Sequence, residues 1–127
     1  NGMRATLNLG HTLAHVVEKI TDFKFDHGQA VAIGIRFICD LSLELGRITK
    51  VQRDDYLSLL SMLNLGNKLP NELIEADAKT LVEMMYGDKK SDGALNLVLF
   101  KAEGGAELVN DLDAAVIIKV LEKFLTN

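Results

Sequence analysis

Leu9, Leu13, Val16, Val17 and Ile20 fall on one arc of an α-helix, so the spacing predicts a helix from about Arg4 to Ile20. The stretch TDFKFD then breaks the period. A second helix is expected from Asp26, because Asp26 and Gln29 have the N-cap and N3 spacing of a capping box. It runs through QAVAIGIRFICDLSLEL and stops near Gly46, read as a C′ glycine. A third helix is expected from Val51 to Leu63, ending at NLGNKLP, which holds the single proline, Pro70. A fourth covers Ala78 to Tyr86, with Asp77 as N-cap and Gly87 just past its end. From there the period drops to two. ALNLVLF alternates and EGG leads into the short run AELVN, the pattern of a hairpin. DLDAAVIIKVLEKFL closes the chain as an amphipathic helix capped by Asn110 or Asp111. The expected fold class is therefore mainly α: a helical bundle with one small β-hairpin near the C-terminus, in one domain over residues 1–127.

The polar face of the first helix is unusual. Arg4, Asn8, His11, His15 and Glu18 are spaced 4, 3, 4 and 3. On a helix they lie within about 80° of one another, opposite the apolar arc. A solvated face more often mixes Lys, Glu, Gln and Ser. This one lines up a guanidinium, an amide, two imidazoles and a carboxylate.

Composition narrows the reading. Apolar residues make up 48% and charged residues 25%, which suits a globular domain and excludes a disordered one. A formal charge of −4 argues against a general nucleic-acid binder, so an anion site must be a local cluster. Cys39, the only cysteine, sits in IRFICDLSL and reads as a buried thiol in a reducing compartment. No apolar run approaches the ~20 residues of a membrane span and no signal peptide opens the chain, so it reads as cytoplasmic with no membrane partner. The first residue is Asn1 rather than Met, inside a patterned segment, as expected of a fragment.

All three histidines, His11, His15 and His27, fall within 17 consecutive positions. An HxxxH pair alone more often makes a surface or helix-pair contact than a metal site. His27 changes the balance: it opens the second helix, and a chain turning back after TDFKF can bring it against the stripe. Two neutral imidazoles and a carboxylate with an open fourth position make a catalytic zinc set. Local geometry alone would pair His11 with His15 and take Glu18 or Asp26 as the carboxylate, and that alternative stays open.

RATLNLGHTLAH, then HGQAVAIGI, and later GDKKSDG, together resemble 3-dehydroquinate synthase in its C-terminal helical domain, over nearly the whole chain. The resemblance implies that His11 and His27 hold Zn2+ (or Co2+), with a third ligand, a glutamate, upstream of Asn1. Glu18 is then not a ligand. It further implies that Arg4 grips the substrate carboxylate and that Asn8 and His15 serve the phosphate site. Lys89 or Lys90 adds a phosphate contact, Lys90 first. His15, Arg4 and Asn8 are the catalytic set, with Arg4, Asn8, His15, Lys89 and Lys90 on the substrate. The chemistry suits these types: an Arg fork matches a carboxylate, and a Lys point charge matches phosphate.

The implied reaction belongs to the shikimate route to aromatic amino acids. It converts 3-deoxy-D-arabino-heptulosonate 7-phosphate to 3-dehydroquinate and phosphate. Hydride leaves for NAD, phosphate is eliminated and hydride returns; the ring then opens and an intramolecular aldol step closes the carbocycle. No glycine-rich strand-turn-helix for a dinucleotide occurs here, since LGNKLP and AEGGAE do not form one. NAD is thus expected to be bound mainly by an N-terminal domain lacking from this chain, which alone should be inactive. A homodimer is expected at full length.

Two positions depart from the family pattern. Ala14 replaces a glycine, and Gln29 replaces the usual glutamate, removing a charge beside His27. Three other readings compete. A 2-deoxy-scyllo-inosose synthase-like cyclase keeps the phosphate but lacks the carboxylate, so Arg4 discriminates. A glycerol dehydrogenase-like polyol dehydrogenase needs neither grip. A non-catalytic helical interaction module would leave the stripe solvent-exposed or covered by a partner helix.

Overall fold

A computed structural model of the chain describes residues 8–87 and 95–126. Among them run six helices and one hairpin: α1 His11–Ile20, α2 His27–Glu44, α3 Lys50–Met62, α4 Asn71–Ile74, α5 Ala78–Tyr86, β1 Leu95–Phe100, β2 Ala106–Leu112 and α6 Ala114–Thr126. The class is the mainly helical one that the patterning predicts. No helix among the described residues is long and apolar enough to cross a membrane.

The 18-residue α2 is the axis of the core, burying Ala30, Ile33, Phe37, Ile38, Cys39 and Leu41. Leu13 and Val17 of α1, Leu81 and Val82 of α5, Leu97 and Leu99 of β1, and Ile117 and Leu121 of α6 join the same cluster. Phe37 meets Phe124 edge-on at 5.8 Å. Ser42 is buried, and its Oγ accepts from the Phe100 N–H at 3.2 Å, so the hydroxyl is satisfied and the hairpin is hooked to α2. Burial pushes the Cys39 thiol up to about 12, leaving it an inert core residue.

Helix ends follow the chemistry of their sequences. Asp26 caps α2 by accepting from the Gln29 N–H at 2.9 Å. The reciprocal half of the expected capping box is missing, because the Gln29 side chain bonds to another loop. A complete box opens α3 instead, between Thr49 and Gln52. Gly46, at φ +72°, ends α2 with a Gly46 N–H to Leu43 carbonyl bond and an Arg47 N–H to Ser42 carbonyl bond, the Schellman pair.

Four boundaries differ from the pattern. α1 begins at His11, not near Arg4, because Gly10 at φ +78° breaks the helix. The cause is close packing: a Cβ on Gly34 would stand 2.0 Å from the Gly10 carbonyl oxygen. A one-turn helix, α4, follows Pro70 where a loop is expected. β2 continues past Asn110 to Leu112, which pairs with Leu95 beyond an irregularity in the ladder. Asn110 and Asp111 therefore belong to the strand, and Asp113 caps α6 by accepting from the Ala115 N–H at 3.0 Å.

Candidate functional site

The turn between α1 and α2 decides what the histidines can do. Asp22 and Phe23 both take left-handed backbone, at φ 55° and 59°, and the Phe23 N–H bonds to the Glu18 carbonyl at 2.7 Å. This tight reversal returns the chain alongside α1. Gly10 and Gly34 let the two backbones touch further along. Asp26 then starts α2 so that His27 is its first residue.

The three imidazoles converge. The His11 and His27 ring centres are 6.1 Å apart, and those of His11 and His15 are 6.2 Å apart. His15 and His27 are open to solvent, with side chains 67% and 62% exposed, whereas Glu18 is only 15% exposed. Two ring nitrogens have defined partners. His11 Nδ1 lies 3.2 Å from the Leu9 carbonyl oxygen and His27 Nδ1 lies 2.8 Å from Glu18 Oε2. A carbonyl and a carboxylate accept only, so each ring donates from Nδ1, and in the neutral form of each the lone pair is on Nε2.

That is the tautomer and anchoring of metal-bound histidine, in which the second ring nitrogen donates to a carboxylate or backbone carbonyl. Two imidazoles on one tetrahedral zinc have ring centres roughly 5 Å apart. A closure of about 1 Å would bring this pair to that span, so the donor set fits a metal. Among the described residues no group of three His, Cys, Asp or Glu side chains is arranged to hold an ion. The carboxylates of the local alternative have other partners: Asp26 caps α2, and Glu18 binds His27.

The remaining expected site residues are placed unevenly. Asn8 is exposed and opens the turn before α1, its carbonyl accepting from the His11 N–H at 3.2 Å. Arg4, Lys89 and Lys90 lie outside the described residues. Gln29 spends its side chain on the loop after α3, donating to the Asn64 carbonyl at 3.1 Å and accepting from the Gly66 N–H at 2.7 Å. Ala14 is buried in the core. Sequence reasoning put Glu18 on the stripe but missed its partner across the helices. Its signal, a carboxylate one turn past His15, pointed only along α1.

A family model described as 3-dehydroquinate synthase C-terminal matches residues 1–91. A protein of Amycolatopsis mediterranei, provisionally named aminodehydroquinate synthase, is 41% identical over 122 residues, covering 96% of this chain and 34% of its own. The 3-dehydroquinate synthase of Campylobacter hominis is 37% identical over 127 residues, covering 97% of this chain and 35% of its own. The chain thus spans about one third of the length of the curated relatives it matches. A crystal structure of 2-deoxy-scyllo-inosose synthase complexed with carbaglucose-6-phosphate, NAD+ and Co2+ matches with a TM-score of 0.72. Identity there is 18%, over 91% of this chain and 32% of that one, so the likeness is one of fold.

Proposed function

The chain belongs to the 3-dehydroquinate synthase family, matching its C-terminal region, and on that premise we propose that it is the helical metal- and substrate-facing part of that enzyme. The full protein then converts 3-deoxy-D-arabino-heptulosonate 7-phosphate to 3-dehydroquinate and phosphate, a lyase reaction with NAD and a divalent metal. One observation carries the metal reading. His11 and His27 come from different helices, each has Nδ1 committed, and their rings stand 6.1 Å apart.

In this reading His11 and His27 hold Zn2+ or Co2+ through Nε2, with a carboxylate ligand from sequence preceding the helical domain. The metal when bound supplies Lewis acidity. The protein's own residues do the rest by orientation and charge. His15 lies one turn from His11 on the solvent side, where it can donate to the substrate phosphate. Asn8 adds an amide donor, Lys89 or Lys90 adds a charge for the phosphate, and Arg4 adds a planar fork for the carboxylate. Such a cluster concentrates anion-binding groups on a chain of formal charge −4. NAD is held mainly by the N-terminal domain of the full protein, which acts in the cytoplasm as a homodimer.

The test is turnover by the full-length protein with NAD and zinc. His11→Ala and His27→Ala should each lower dehydroquinate formation at least ~1,000-fold, and full activity in either variant would end the reading. Arg4→Ala should raise KM for the sugar acid phosphate. A normal KM would favour a cyclase whose substrate lacks the carboxylate. The 41% identical Amycolatopsis protein supports a second substrate, the precursor of aminodehydroquinate. Competition between the two substrates decides between them.

A further inference from the structure

We infer that Glu18 is a positioning residue that holds the metal-side imidazole of His27 by its Nδ1. This rests on the metal reading above and adds a residue that the ligand set does not include. Glu18 Oε2 accepts from His27 Nδ1 at 2.8 Å, while Oε1 faces His15 Nδ1 at 3.9 Å. One carboxylate therefore addresses two rings, one on its own helix and one on the next. Lysine or arginine would be the ordinary partner of such a group. Among the described residues Glu18 has neither, although its side chain is only 15% exposed. A carboxylate so far out of water is costly unless hydrogen-bonded, so the bond from His27 is what stabilises it there.

The fold fixes where this carboxylate stands. The Glu18 carbonyl accepts from the Phe23 N–H at 2.7 Å and from Thr21 Oγ1 at 3.2 Å, which locks the last turn of α1 to the reversal leading into α2. His27 is 62% exposed, and among the described residues no other side-chain hydrogen bond holds its ring. Without Glu18 the ring is free to turn about χ1 and χ2, and either nitrogen can present itself. With Glu18 in place, Nδ1 is occupied and Nε2 is the nitrogen left to present, on a ring whose centre stands 6.1 Å from that of His11. The 3.9 Å separation on the other oxygen is too long for a hydrogen bond, so Glu18 does not hold His15, which remains free to follow a substrate group.

The experiment is a zinc competition titration of the full-length protein against a chromogenic chelator, followed by the visible spectrum of the cobalt-loaded form. Glu18→Ala should weaken zinc binding about 10–100-fold. Glu18→Gln, whose amide oxygen still accepts from Nδ1–H, should stay within about threefold of the parent, a rescue that loss of packing alone would not produce. Glu18→Asp, one methylene short, should fall with Ala and should alter the cobalt ligand-field bands. Parental affinity in a folded Glu18→Ala protein overturns the inference.

A long-range 1H–15N correlation on the unsubstituted, metal-free protein reads the same claim without a variant. His27 protonated at Nδ1 supports it, and at Nε2 refutes it. Should the unsubstituted protein take up no zinc, the metal reading fails by itself, and the tautomer measurement still judges the role of Glu18.

Discussion

The α1–α2 pair and the α3 arm are attached to the same core by different physics. α1 buries Leu13, Ala14, Val16 and Val17 and meets α2 backbone to backbone at Gly10 and Gly34. α3 buries none of its residues fully, and Val51 and Met62 stand 70% and 82% exposed. Leu57 packs partly buried against the core, and directional contacts supply the rest of the arm's attachment. Tyr56 stacks on Phe100 at 4.4 Å, Arg53 bonds Asp40 at 2.9 Å, and Gln52 donates to the Ala102 carbonyl at 2.8 Å. Arg36, two turns beyond Gln29 on α2, donates to the Leu65 carbonyl, Ser61 Oγ and Asn67 Oδ1. The histidine pair thus rides on a crossing with no soft side chain between the backbones. The arm rides on bonds that can break singly, so the site should feel a change at the crossing far more than one at the arm.

Breaking the crossing should have the largest effect. Gly34→Ala forces a methyl against the Gly10 carbonyl and should cost about 3 kcal/mol or more, with at least a ~10-fold loss of zinc affinity in whatever remains folded. Thermal unfolding and zinc titration check both. A stable Gly34→Ala protein with unchanged affinity would erase the contrast.

Loosening the arm should matter less. Gln29→Glu keeps the bond from the Gly66 N–H but turns a carboxylate oxygen toward the Asn64 carbonyl, and should cost about 1–2 kcal/mol in denaturant unfolding. Arg36→Ala should cost a similar amount and leave zinc affinity within about threefold of the parent. The smallest change is Met62→Lys, which should stay within about 0.5 kcal/mol because the side chain is already in water.

The sequence made the long elements legible because they bury one face each. The 3.6 period marked α1, and the Asp26, Asp77 and Gly46 end signals that marked α2 and α5 are all used as read. What escaped was set by contacts distant in the chain. The start of α1 depends on Gly34, 24 positions from Gly10, which no local pattern reveals. β2 reaches Leu112 because Leu95 awaits it across the ladder, and this moved the cap of α6 to Asp113. α4 is one turn long and has no period to detect.

At the site, the residue types and the approach of His27 to His11 were legible. The side-chain pairings were not. Gln29 looked like a neighbour that would tune His27, yet its amide needs both a donor and an acceptor and finds them on Asn64 and Gly66. Glu18 lay on the expected stripe, but the turn at Asp22 and Phe23 determined which imidazole it would meet.

The most direct measurement is anomalous diffraction from crystals of the cobalt-loaded full-length protein. The account predicts one metal peak about 2.1 Å from Nε2 of both His11 and His27, with Glu18 on His27 Nδ1 and outside the coordination sphere. A peak bound by His11 and His15 with Glu18, or one that leaves His27 unligated, would contradict it.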